Sequence, residues 1–178
     1  MNLIEELLVC DAPQSLQIEI TSRCNLKCKM CPLTTGSTIS SASPDHMAEG
    51  LQRDILPIAR RYRKVILAGY GEPLLNPHLL PFLKELDQAK VEIGMSTNGT
   101  LLTASIARKL ATLKYLVALN VSIDSPEEDS YRHIRGGQVE KALTGLKNLM
   151  AVIDEPQKVS VSAVLMRHNI KHLVETWS

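Results

Sequence analysis

Three of the four cysteines of this 178-residue chain lie within one eight-residue stretch, residues 24–31. Cys24, Cys28 and Cys31 follow a C-x3-C-x2-C spacing within the sequence Cys-Asn-Leu-Lys-Cys-Lys-Met-Cys. Thiolates are soft, strongly donating ligands, and three of them in one short loop can converge on a single metal centre. The clustering therefore indicates metal ligation in a reducing compartment rather than a disulfide framework, whose cysteines would be distributed as pairs.

The number of thiols distinguishes two kinds of metal centre. A structural zinc site normally closes with four protein ligands, so this one would need Cys10 or a histidine to complete it. A cubane 4Fe-4S cluster held by three thiolates would keep one iron free for the amino and carboxylate groups of a small molecule. The loop residues alone do not decide between these two kinds of metal site. Three unrelated buried thiols are a third possibility.

Strand and helix patterns alternate about five times along the chain. Short apolar or alternating segments predict strands at 16–21, 65–68, 91–96, 115–123 and 158–165. Such alternation implies an α/β fold with parallel strands and right-handed crossovers, arranged as a barrel or as an open doubly wound sheet. The cysteine loop directly follows the first strand, and in both architectures sites gather at the carboxyl ends of the strands.

Two helix starts are predicted from capping signals. Asp45 is expected to cap a helix that runs to about Arg63. Residues 125–128, Ser-Pro-Glu-Glu, match a capping box with proline at the first helical position.

Small or polar residues follow each predicted strand. Gly71, Glu72 and Pro73 follow the second strand, where a glycine lets the backbone approach a ligand and strand-end carbonyls can accept from an ammonium group. Residues 96–99, Ser-Thr-Asn-Gly, close the third strand, and Ser122 and Asp124 close the fourth. Each segment alone is also consistent with a turn or a helix cap.

In this order, the motifs resemble those of the radical S-adenosylmethionine (radical SAM) superfamily. The resemblance covers residues 16–169, and the cysteine loop is its most specific part. It implies that Cys24, Cys28 and Cys31 hold a 4Fe-4S cluster whose free iron binds SAM. The family fold is a partial parallel (β/α) barrel of six units. About five of these six units are visible in the sequence. The resemblance therefore implies an N-terminal extension at 1–15 and a C-terminally incomplete core domain at 16–178.

The resemblance also implies where SAM would bind. Relatives hold the methionyl amino group with a Gly-Gly-Glu-Pro sequence, which Gly71, Glu72 and Pro73 match while Tyr70 replaces the first glycine. In relatives the third and fourth strand ends contact the SAM carboxylate or ribose, and the fifth strand borders the adenine. The matching cofactor-binding positions here are Ser96, Asn98, Ser122, Asp124 and Ser162, and Arg135-Gly136 resembles the Arg-Gly that follows the fourth strand.

The implied activity is reductive cleavage of SAM to a 5'-deoxyadenosyl radical that abstracts a hydrogen atom from a substrate. Met30-Cys31-Pro32 resembles the peptide-modifying SPASM-type branch and its iron-sulfur oxidoreductase relatives, with a molybdenum-cofactor-biosynthesis-like branch as the other candidate. A peptide is therefore one candidate substrate, and flavodoxin or ferredoxin is the expected kind of electron donor. The alternatives are a zinc-binding structural or interaction module and an inactive truncated remnant.

Composition argues against several other classes. Twenty Lys and Arg residues nearly balance nineteen Asp and Glu residues, so no basic block favours nucleic-acid binding. The sequence contains no run of about 18 apolar residues, so no membrane span is predicted. The first ten residues contain Glu5 and Glu6 and lack the basic region of a signal peptide, so a cytoplasmic protein is expected.

Overall fold

A computed structural model describes residues 14–36 and 45–172 of the chain. Five parallel strands form one sheet in the order of the sequence, each paired with the next. The strand order never reverses, which is the winding of a (β/α) barrel and not of a doubly wound sheet. The prediction of a parallel barrel with five strands is confirmed. The strands are β1 (Ser15–Ile18), β2 (Lys64–Leu67), β3 (Glu92–Thr97), β4 (Leu116–Ser122) and β5 (Val159–Ser162).

Helices connect the strands and bury their apolar sides on one face of the sheet. The hydrophobic core joins strand residues such as Val65 and Leu119 to helix residues such as Phe82 and Leu110. Among the described residues, no helix is long and apolar enough to cross a membrane. The helices are α1 (Pro32–Thr35), α2 (Glu49–Ala59), α3 (Leu79–Gln88), α4 (Ala104–Ala111), α5 (Glu128–Arg135) and α6 (Val139–Met150).

On the opposite face of the sheet, β3, β4 and β5 carry polar side chains, whereas β2 carries Ile66. Strand residues alternate between the two faces, so Leu119 and Val121 enter the core while Asn120 and Ser122 do not. The side-chain amide of Asn120 donates to the hydroxyl of Ser96 on β3 at 3.1 Å and to that of Ser162 on β5 at 2.9 Å. A hydrogen-bonded polar strip therefore crosses three strands. We call this surface the polar face, defined by Gln17, Ser96, Asn120, Ser122, Ser160 and Ser162.

Both predicted helix starts are wrong in detail. The α2 helix has Ala48 as its N-cap and ends at Ala59, whereas Asp45 forms an ion pair with Arg23 at 3.6 Å. The α5 helix is capped by Glu127, whose carboxylate accepts from the backbone N–H groups of Asp129 and Ser130. A glutamate is long enough to reach these N–H groups, so it takes the place that the sequence pattern gives to serine.

Parts of two predictions lie outside the described residues. These are the first thirteen residues of the predicted extension, which include Cys10, and the end of the predicted core domain after residue 172.

Candidate active site

A cavity of about 290 Å³ opens at the carboxyl ends of the strands. This volume is at the lower end of the roughly 300–1,000 Å³ that is typical of small-molecule sites. The cavity wall brings together the three cysteines of the loop and the ends of β2, β3 and β4. The predicted site residues that line it are Cys24, Cys28, Cys31, Gly71, Glu72, Ser96, Asn98 and Ser122.

The cysteine loop is fixed to the C-terminal end of α5 through its backbone. The N–H of Lys27 donates to the carbonyl of Arg135 at 3.2 Å, and that of Lys29 donates to the carbonyl of Ile134 at 2.9 Å. All three thiols are half-buried, and none is in a disulfide. These two backbone hydrogen bonds hold the loop on α5 and do not involve the sulfur atoms.

Burial raises the pKa of the thiols of Cys24 and Cys28, and at Cys28 it outweighs the opposing effect of the nearby Arg135 guanidinium. Metal ligation requires the thiolate form, so metal loading releases protons and is favoured by rising pH. Within residues 14–36 and 45–172, no group of three or more His, Cys, Asp or Glu side chains is placed to hold a single metal ion. The thiolates of a cubane bind different irons and do not need to converge on one point.

Gly71 and Glu72 connect the end of β2 to the neighbouring strands. A Cβ atom at Gly71 would overlap the backbone carbonyl of Thr21. The buried carboxylate of Glu72 accepts from the Thr97 hydroxyl at 2.7 Å, and from the N–H groups of Asn98 at 2.7 Å and Leu74 at 3.1 Å. Desolvation raises the pKa of Glu72, and these hydrogen bonds oppose the rise. Glu72 therefore fixes the end of β3 against that of β2.

Asn98 joins the end of β3 to the cysteine loop. Its amide nitrogen donates to the side-chain oxygen of Asn25 at 2.9 Å and lies 4.0 Å from the sulfur of Cys24. Its side-chain oxygen accepts from the backbone and hydroxyl of Thr100, at 3.0 Å and 2.7 Å. Asn98 is in the cavity wall, and its side chain also positions a predicted metal ligand.

Asp124 does not line the cavity, and its predicted contact with SAM stays a prediction. It is fully buried, and its carboxylate accepts from Nε of Arg135 at 2.6 Å and from the N–H of Val164 at 2.9 Å. Arg135 and Val164 are themselves in the cavity wall. Asp124 therefore positions two wall residues, and it is not the cap of the following helix either.

Pro73 and Ser162 are also outside the wall. Pro73 is buried and starts a short 3-10 turn, Pro73–Leu75. Ser162 belongs to the polar face, where its hydroxyl lies 3.3 Å from that of Ser122.

Tyr131 is a residue that the sequence patterns did not single out. It is fully buried on α5, and no partner for its hydroxyl is found among the described residues. Burial raises the pKa of Tyr131 to about 12, with Arg135 and Cys28 among the neighbouring charges. An orphaned buried hydroxyl costs about 1–3 kcal/mol. Tyr131 is not in the cavity wall.

The wall gains further residues beyond those predicted to bind the cluster or SAM. Arg135 supplies a cation, and several apolar side chains supply a surface that can cover a flat ring. The one signal in the sequence for Arg135 is its place before Gly136, which ends α5 in the left-handed conformation. The remaining wall residues are Leu26, Met30, Pro32, Leu33, Gly69, Tyr70, Thr97 and Val164.

The parallel sheet, the half-buried cysteines and the glycines that follow the strands surround one cavity. Together these features point to one class of proteins. Residues 18–177 match the family model of the radical SAM superfamily, and the chain belongs to that superfamily. Members of the superfamily bind a 4Fe-4S cluster and SAM. The predicted family is confirmed.

Relatives come from both of the predicted branches. The mycofactocin maturase MftC of Mycobacterium tuberculosis is 30% identical over 167 residues, which cover 93% of this chain and 41% of the relative. The GTP 3',8-cyclase of Petrotoga mobilis is 33% identical over 151 residues, which cover 82% of this chain and 45% of the relative. The SAM-bound structure of Streptococcus suis SuiB superposes with a TM-score of 0.78 at 20% identity, covering 98% of this chain and 39% of SuiB. The chain thus spans less than half the length of these relatives.

Proposed function

We propose that this chain is the core of a radical SAM enzyme in which Cys24, Cys28 and Cys31 hold a 4Fe-4S cluster. The observation that carries the proposal is the single cavity whose wall contains all three thiols and the strand-end residues Gly71 and Glu72. When bound there, the cluster would supply the electron for reductive cleavage of SAM to methionine and a 5'-deoxyadenosyl radical, the species that would take a hydrogen atom from the substrate. The protein supplies binding, orientation and exclusion of water.

The wall residues divide into groups that suit the parts of SAM. The backbone of residues 69–72 suits the methionyl ammonium, because peptide carbonyls are acceptors. The guanidinium of Arg135 suits the carboxylate, and Asp124 holds it in place. Ser96, Asn98 and Ser122 offer polar groups for the ribose, while Met30 and Val164 offer apolar surface for the adenine. Pro73 supports its turn, and Ser162 remains a predicted contact at the polar face.

Anaerobic reconstitution with iron and sulfide tests this function. We expect a brown protein with about four irons per chain, which forms 5'-deoxyadenosine from SAM after reduction with dithionite. A colourless protein that retains one zinc would instead support the zinc-binding module. A brown protein that leaves SAM intact would support the inactive remnant.

We propose a peptide as the substrate class. The amide and hydroxyl groups of the polar face can pair with the donors and acceptors of a peptide backbone. SuiB, whose fold this chain shares, has been solved bound to its precursor peptide SuiA.

The electron donor that we propose is a small acidic carrier such as flavodoxin or ferredoxin. Exposed lysines, Lys27 and Lys29, flank Cys28, and the Lys29 ammonium lies 3.0 Å from the ring of His133. The His133 ring packs against that of His168 with centroids 4.2 Å apart. The nearby acids Glu128 and Asp129 pair with Arg132. Lys27 and Lys29 carry the positive charge of this surface, because desolvation and the Lys29 ammonium lower the pKa of His133.

Reversing both lysine charges, Lys27→Glu with Lys29→Glu, is expected to slow reduction by an acidic carrier about tenfold at low ionic strength. The reason is that steering between opposite charges speeds association by about 10–10³-fold and is screened by salt. Stopped-flow absorbance of the cluster measures the rate, and reduction by dithionite should be unaffected.

The matched control is Lys84→Glu with Lys109→Glu, which makes the same change in net charge on α3 and α4. Equal slowing by the two double variants would show that only the total charge matters and would contradict a local docking face.

A further inference from the structure

Glu19, which directly follows β1, forms contacts that the proposed chemistry does not yet use. Its Oε1 accepts from the backbone N–H of Tyr70 at 2.5 Å and from that of Gly71 at 3.2 Å. Residues 69–71 line the cavity, whereas Glu19 is not in its wall. The carboxylate therefore holds two consecutive peptide groups of the wall from outside the cavity.

These two hydrogen bonds fix the direction of two carbonyl groups. Every peptide bond among the described residues is trans, and in a planar trans peptide the C=O points opposite to the N–H. The carbonyls of Gly69 and Tyr70 therefore point away from Glu19. A negatively charged acceptor also polarises each peptide group, which makes its carbonyl oxygen a better acceptor.

The local packing fits this arrangement. A Cβ atom at Gly69 would overlap the carboxylate of Glu19, so this position must be glycine for the glutamate to approach. Gly71 in turn packs against the carbonyl of Thr21, and the N–H of Glu72 donates to the carbonyl of Arg23 at 2.8 Å. The chain from Glu19 to Arg23 thus fits the chain from Gly69 to Glu72 along its whole length.

We propose that Glu19 is a positioning residue for SAM, and this inference rests on the proposed function. Glu19 orients the peptide groups between residues 69 and 71 so that their carbonyls accept from the methionyl ammonium. It acts through the backbone and does not touch the cofactor. Its removal should therefore weaken only those ligands that carry the ammonium.

Calorimetric titration of the reconstituted protein with two ligands tests this role. S-adenosylhomocysteine carries the amino-acid end, whereas 5'-methylthioadenosine lacks it. We expect Glu19→Ala to weaken S-adenosylhomocysteine binding at least tenfold and 5'-methylthioadenosine binding less than twofold. Glu19→Gln keeps an acceptor oxygen but not the charge, so its effect should be intermediate, and it serves as the test if the alanine variant does not fold. Glu140→Ala, which removes an exposed carboxylate from α6, should change neither affinity.

The outcomes separate this inference from the function on which it rests. Equal weakening of the two ligands by Glu19→Ala, or no change in either, overturns the positioning role alone. A reconstituted wild-type protein that binds neither ligand overturns the proposed function, and the role of Glu19 with it.

Discussion

Replacing Cys24, Cys28 or Cys31 with alanine, one at a time, is expected to abolish the iron–sulfur absorbance and SAM cleavage while the chain stays folded. Three thiolates bind three of the four irons of a cubane and leave the fourth open to a ligand. The loss of any one thiolate therefore exposes a second iron. The fold should persist because backbone hydrogen bonds from Lys27 and Lys29 hold the loop on α5. Iron analysis and visible absorbance measure the cluster, and circular dichroism measures the fold.

The matched control for these variants is Cys10→Ala, the remaining cysteine of the chain. It should retain the full iron content and the same rate of 5'-deoxyadenosine formation. SAM cleavage by the triple alanine variant would refute the cluster assignment. Loss of metal from the Cys10 variant would point to a four-thiolate zinc site instead.

Gly71→Ala is expected to weaken SAM binding by more than a hundredfold. The new methyl group would overlap the Thr21 carbonyl, and a backbone atom cannot rotate away as a flexible side chain can. The segment before Glu72 must therefore shift by about an ångström, and misplacement on that scale can cost roughly 10²-fold at a reacting site. Equilibrium binding of S-adenosylhomocysteine measures the loss.

Gly50→Ala makes the same chemical change where it meets no other atom within 4 Å, near the start of α2. It should leave binding unchanged, and the unfolding free energy should stay level or rise by up to about 1 kcal/mol because alanine favours helix. A Gly71 variant that binds as tightly as this control would show that the close approach to Thr21 does not position the ligand.

The alternation of strands and helices was sufficient to predict the parallel sheet and the edge where the site lies. The carboxyl ends of parallel strands lie at one edge of a sheet, so the small or polar residues that follow the five short strands gather at that edge. The spacing of the cysteines likewise needed no tertiary information. These features are local, so they can be recognised in the sequence.

The roles of Asp124 and Glu72 could not be predicted in this way, because their partners are distant in the chain. Asp124 binds Arg135, eleven residues further on, and the N–H of Val164, forty residues further on. Glu72 accepts from Thr97 and Asn98, which lie 25 and 26 positions further along the chain, at the end of β3. In the sequence, a strand-end carboxylate therefore resembles a ligand contact. Only the fold shows that its oxygens already accept hydrogen bonds from other parts of the protein.

The polar face has a consequence for the proposed binding of a substrate. Asn120 and the serines beside it hydrogen-bond to one another, and a substrate bound at this face would have to replace these bonds with its own. A compound that lacks one matching amide or hydroxyl leaves a polar atom without a partner, which a protein rejects far more strongly than a missing methylene. Selection across this surface should follow the pattern of donors and acceptors in a molecule more than its size.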